Sequence, residues 1–223
     1  MAGRRTYGSY NDGCASAHAL DLIGERWALI VVRELLLGPK RFVDIQRDIP
    51  GLGPGPLSQR LQELEATGVV ERNLLPDPAR VTVYGLTAWG RGLEEVNTAL
   101  SLWAAQSPHL PLEADMGPDT LVLAMRAHAH PLPAGSTSLK IALKLTDSRF
   151  IGREAVTYLA TLTSAGSSIN KTTITDGADA EVHSGTREWK SLVIGGAALD
   201  SSEGITITGN QESVNTLIEI TKL

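Results

Sequence analysis

Ser58, Gln59, Arg60 and Gln62 lie within five residues and are side-chain types that pair with the edges of nucleobases. A guanidinium donates hydrogen bonds in parallel pairs, while amides and hydroxyls both donate and accept. Arg60 is the strongest single candidate for a guanine or a phosphate, and Gln59, Gln62 and Ser58 for base edges. Lys40 and Arg41, adjacent cations earlier in the chain, are candidate phosphate anchors, and Arg80 is a further one. Other chemistries find little material. The five histidines show no ligand spacing, because His128 and His130 diverge on a helix, so no metal is expected. There is no nucleophile elbow and no phosphate loop, and the neighbouring carboxylates Glu94 and Glu95 point apart on a helix. Neither an enzyme nor a cofactor is expected.

The elements around these residues follow from apolar spacing and stop signals. Ala15 to Ile23 predicts a helix ending at Gly24, and Trp27 to Leu37 a second one stopped by Gly38-Pro39. Arg41 to Asp48 predicts a third, closed by Ile49-Pro50. From Pro56 to Ala66, Leu57, Leu61 and Leu64 recur at helical spacing, with the polar set on the other side. A proline in the first turn removes an N–H that would have no partner, and the remaining amides can face phosphate. Two strand-like runs, Val69 to Leu75 and Arg80 to Leu86, flank Pro76-Asp77-Pro78-Ala79 and read as a hairpin. Thr87 can then cap a long helix in which Leu93, Val96, Leu100 and Trp103 form a narrow seam suited to a partner helix.

Helices, hairpin and seam helix in this order match a winged helix-turn-helix, whose last packed helix enters the major groove. Three stretches sharpen the match: Cys14-Ala-Ser-Ala-His-Ala-Leu-Asp-Leu-Ile-Gly-Glu-Arg-Trp27, Arg33-Glu-Leu-Leu-Leu-Gly-Pro-Lys-Arg-Phe-Val-Asp-Ile45 and Leu57-Ser-Gln-Arg-Leu-Gln-Glu-Leu-Glu65. Over residues 12–106 the chain resembles the HxlR-type winged-helix regulators. The resemblance implies a bacterial homodimer that binds a pseudo-palindromic operator in double-stranded DNA, with repression the expected outcome. Cys14 stands where members that sense thiol-reactive compounds carry their cysteine, although a small packed residue is the alternative reading.

The remainder has a different composition. Seven of the ten aromatic residues precede position 108, and 14 of the 19 threonines follow it, so a second core is expected. The prolines 108 and 111 end the seam helix, dividing the chain into residues 1–107 and 108–223. Asp119 to His128 predicts a helix. Leu139 to Leu145 alternates as a half-buried strand, Val156 to Thr163 less strictly, and Ala180 to Ser184 and Gly204 to Gly209 add two more. A helix from Thr186 runs to Gly195-Gly196, and Asn210 caps the last one. This is an α+β domain on a mainly antiparallel sheet. Over about residues 118–223 it resembles the C-terminal part of sterol-carrier-protein-like domains, which implies an apolar pocket for a lipophilic small-molecule effector. Trp189, Leu192, Val193, Leu217 and Ile218 are its candidate walls, with plain core packing the favoured reading of each.

The formal charge of −5 divides as −1 over residues 1–108 and −4 over 109–223, so the acidity does not oppose DNA binding by the first half. Arg4 and Arg5 precede a polar run rather than an apolar one, and no segment approaches the ~20 apolar residues of a membrane span. A cytoplasmic protein without membrane contact is expected. A lipid carrier or scaffold, using its winged helix for protein contacts, is the alternative.

Overall fold

The computed structural model describes residues 9–75 and 80–223, and the chain divides into two compact units, Met1–Asn97 and Thr98–Leu223. The turn at 76–79 and the pair Arg4 and Arg5 lie outside the described residues.

The first unit is built from α1 (Ala15–Ile23), α2 (Ala28–Leu35), α3 (Phe42–Asp48), α4 (Pro54–Ala66), a hairpin of β1 (Val70–Leu74) and β2 (Thr82–Leu86), and α5 (Ala88–Arg91). α6 (Leu93–Ala105) continues across the division between units. The core is the meeting of four apolar stripes: Val31, Val32 and Leu35 of α2, Ile45 of α3, Leu57, Leu61 and Leu64 of α4, and Val70 and Leu86 of the hairpin. Each such side chain removed from water contributes about 1.5–3 kcal/mol before entropy is counted. An isolated antiparallel bridge joins Lys40 to Tyr84, with Lys40 N–H donating to the Tyr84 carbonyl at 2.9 Å and Tyr84 N–H to that of Lys40 at 2.8 Å. That bridge ties the approach to α3 onto the hairpin.

Several element boundaries move from those expected. α4 starts at Pro54, two residues before Pro56, because both prolines fit a first turn whose N–H groups need no helical partner. α2 begins at Ala28, with Trp27 as a left-handed N-cap (φ 79°) under the guanidinium of Arg26. The seam helix breaks after one turn: Thr87 Oγ1 accepts from Gly90 N–H at 3.0 Å to start α5, and α6 begins after Gly92. A side chain at Gly90 would collide with the Val69 carbonyl, which keeps this corner tight.

In the second unit α7 (Pro118–His128) precedes a five-stranded sheet of β3 (Leu139–Thr146), β4 (Val156–Thr163), β5 (Gly166–Lys171), β6 (Ala180–Gly185) and β7 (Thr206–Gly209). α8 (Thr186–Val193) follows β6, and α9 (Gln211–Thr221) ends the unit. The strand order is β5-β4-β3-β6-β7; only β3 and β6 are parallel. Ile141, Leu143 and Leu145 of β3 and Tyr158, Ala160 and Leu162 of β4 are buried, in the alternation their spacing predicts. β5 was not expected. Asn210 Oδ1 accepts from the Glu212 and Ser213 amides, the expected cap of α9. Asp119, one residue into α7, is held by Tyr158 Oη at 2.6 Å and by Lys171 Nζ at 3.2 Å. No helix among the described residues is long and apolar enough to cross a membrane.

Candidate nucleic-acid interface

α4 positions the polar set. Leu57, Leu61 and Leu64 lie on one stripe, each 2% exposed or less, so residues about half a turn away must face solvent. Gln59 and Gln62 are exposed there and Ser58 partly so, with Gln62 Nε2 3.5 Å from Ser58 Oγ. Pro54 and Pro56 remove two of the four N-terminal amide donors, leaving those of Gly53 and Gly55 for a phosphate. The first turn therefore offers fewer donors than the expected start at Pro56 implied.

Arg60 is not displayed beside the glutamines. Its side chain is 12% exposed; Nη1 lies 2.5 Å from Glu63 Oε2, with Glu25 Oε2 at 4.0 Å. The other Glu63 oxygen accepts from Gln59 Nε2 at 3.0 Å. Glu63 is not among the residues singled out from the sequence. Its spacing, i+4 from Gln59 and i+3 from Arg60, is the signal that could have revealed the pairing.

The two expected phosphate anchors have different surroundings. Lys40 is 10% exposed along its side chain, and Nζ binds Glu34 Oε2 at 2.8 Å and Asp48 Oδ2 at 3.1 Å. Glu34, buried within α2, also takes Arg33 Nη2 at 2.8 Å. Burial pushes the Asp48 carboxyl up, but Lys40 and Arg47 pull it further the other way, leaving it below the usual carboxylate range. This ammonium is committed to joining α2 and α3. Arg41 is more open: it heads α3 as the N-cap residue and binds Asp44 through Nε at 2.7 Å. Arg47 shares Asp44 and Asp48 from the last turn of α3, and Arg72 stands exposed on β1. Neither was singled out from sequence, although both are cations near the reading helix in chain order. Arg80 is exposed at the entry to β2, with φ 35°.

The candidate dimer residues separate as well. Leu93 packs onto the first core, whereas Val96, Leu100 and Trp103 are 41%, 44% and 76% exposed, and α6 buries no residue within the chain. Cys14 is exposed at the N-cap of α1, where the Ser16 and Ala17 amides hold its thiol below the ordinary value. In the second unit Trp189, Leu192, Val193, Leu217 and Ile218 are all buried, and Trp189 Nε1 donates to Met125 Sδ at 3.3 Å. Among the described residues no group of three or more His, Cys, Asp or Glu could hold a metal ion.

The model of the HxlR-like helix-turn-helix family matches residues 22–110. The chain is 39% identical over 89 residues to the uncharacterized HTH-type transcriptional regulator YvaP of Bacillus subtilis (strain 168), spanning 40% of this chain and 82% of that protein. It is also 39% identical over 88 residues to the HTH-type transcriptional regulator YodB of the same organism, spanning 40% of this chain and 79% of YodB. A solved structure of reduced YodB from B. subtilis covers 43% of this chain and 95% of its own at 36% identity, with a TM-score of 0.40.

Proposed function

This chain belongs to the HxlR-like helix-turn-helix family, and we propose that it is a DNA-binding transcriptional regulator that reads a pseudo-palindromic operator as a homodimer and represses from it. The observation that carries the reading is α4: a helix fixed by three buried leucines presents Gln59 and Gln62 outward from a short, proline-started first turn. A helix so held is rigid enough to enter the major groove in one register. The preceding helix contributes Arg41, and the hairpin contributes Arg80, as contacts to the backbone. The exposed stripe Val96, Leu100 and Trp103 supplies the seam between two copies.

The second unit is proposed to be a sterol-carrier-like domain that senses a lipophilic molecule. The support is its order of strand, helix, strand and terminal helix on one mixed sheet, with Trp189, Leu192, Val193, Leu217 and Ile218 between the layers. A ligand there regulates only through different affinity for two states of the dimer.

The test is selection from a pool of random DNA duplexes by the full chain. A single enriched palindrome is expected, and removing both displayed amides, Gln59→Ala with Gln62→Ala, is expected to weaken its binding tenfold or more. No enriched sequence, or unchanged binding by the variant, overturns the reading. For the second unit, native mass spectrometry of freshly purified protein should show an apolar adduct. A bare chain that gains no thermal stability from apolar compounds removes the sensing proposal.

A further inference from the structure

Glu63 stands on the outward side of α4 one turn beyond Gln59, and its two oxygens are spoken for by different neighbours: Oε1 by Gln59 Nε2 at 3.0 Å, Oε2 by Arg60 Nη1 at 2.5 Å. A carboxylate only accepts, so the group that Gln59 turns towards it must be the amide NH2. Two consequences follow for the exposed end of Gln59. Its carbonyl oxygen faces away from Glu63, and one N–H remains after the other is given to the carboxylate. The side chain thus offers an acceptor beside a single donor, in a fixed orientation.

That pair matches one base. In the major groove adenine presents its N6 amino donor next to the N7 acceptor, whereas guanine presents two acceptors, O6 and N7. A glutamine free to flip tolerates either arrangement in part; one whose carbonyl is held outward meets guanine O6 acceptor to acceptor. Arg60 has the complementary part. Shielded, and held between Glu63 and Glu25, it does not reach out as the guanine reader its sequence position suggested. It offsets the Glu63 charge, which would otherwise repel the phosphates on either side of the groove.

We propose that Glu63 is a positioning residue that fixes Gln59 to read an adenine in the major groove, with Arg60 neutralising Glu63 rather than contacting guanine. The proposal rests on the regulator reading above. Its test uses the full chain and its Gln59→Ala and Glu63→Ala variants, each titrated against the sequence enriched by the unaltered protein and against every single-base variant of it. The expected result is one position where adenine is preferred to guanine by about tenfold or more. Gln59→Ala should erase that preference alone, and Glu63→Ala should reduce it to within about twofold at the same position while the others keep theirs. The Glu63 side chain is 42% exposed, so matching thermal melts for the two variants are expected and separate positioning from folding. The proposal is overturned if Glu63→Ala leaves the preference intact, if it shifts affinity equally at every position, or if the position read by Gln59 is not adenine. Failure of the unaltered protein to enrich any sequence overturns the regulator reading instead, and this proposal with it.

Discussion

Lys40 shows how a residue's neighbours decide its task. Its ammonium joins Glu34, 2% exposed, to Asp48, and replacing it with methionine leaves a buried carboxylate without that ammonium. Removing one member of a buried pair costs about 3 kcal/mol or more, so Lys40→Met should lower the unfolding free energy by roughly that amount in urea titration. A loss under 1 kcal/mol would return Lys40 to the pool of free phosphate anchors. The same network sets a pH response. Asp48 titrates below its unfolded value, so its stabilisation is present above the ordinary carboxylate pKa and fades as pH falls through the folded-state value. Stability should therefore drop below about pH 4, and Asp48→Asn should flatten that drop; an equally steep drop in the variant would sink the assignment. None of this could be read from the cation's position in the sequence. Glu34 lies six residues before Lys40, across the Gly38-Pro39 stop, and only the packed fold brings the two together. The Gln59, Arg60 and Glu63 group was legible in principle, since all three lie on one helix at fixed spacing.

At the scale of elements, helices with a single buried stripe declared themselves. The leucines of α4 and the alternation of β3 and β4 reappear as the buried residues of the structure. β5 did not, because of its six residues only Ile169 is buried, and an edge strand of Gly, Ser and Asn carries no period-two signal. The start of α4 was misplaced for a related reason: Gly53-Pro54-Gly55-Pro56 holds two prolines, either of which can occupy a first turn. α6 makes the most testable demand. A 13-residue helix with no fully buried residue, held to its own chain's core through Leu93, gains little from packing, and helices of that length are marginal alone. Its exposed seam should therefore be covered by the same seam of a second copy. Light scattering should give a two-chain mass for the unaltered protein, and Leu100→Asp with Trp103→Asp a one-chain mass. A double variant that stays dimeric would place the interface elsewhere.

Across the whole molecule, the two compositions noted in the sequence correspond to two cores with separate fastenings. Within the second unit, Lys190 is buried on α8 and its ammonium donates to the carbonyls of Leu112 and Ala114, while Arg187 binds Asp115 through two nitrogens. Residues 112–115 are thereby strapped to α8 within the second unit. Two carbonyls lose a charged donor in Lys190→Met, a loss of about 2–3 kcal/mol. For a unit of some 110 residues that is a fall in melting temperature of about 10 °C. If residues 1–107 and 108–223 are separate cooperative units, calorimetry should resolve two transitions. Lys190→Met should lower one of them and Lys40→Met the other, because neither substitution touches the opposite core. A single transition that moves by similar amounts in both variants would show instead that the chain unfolds as one body, and the proposed junction would have no energetic meaning.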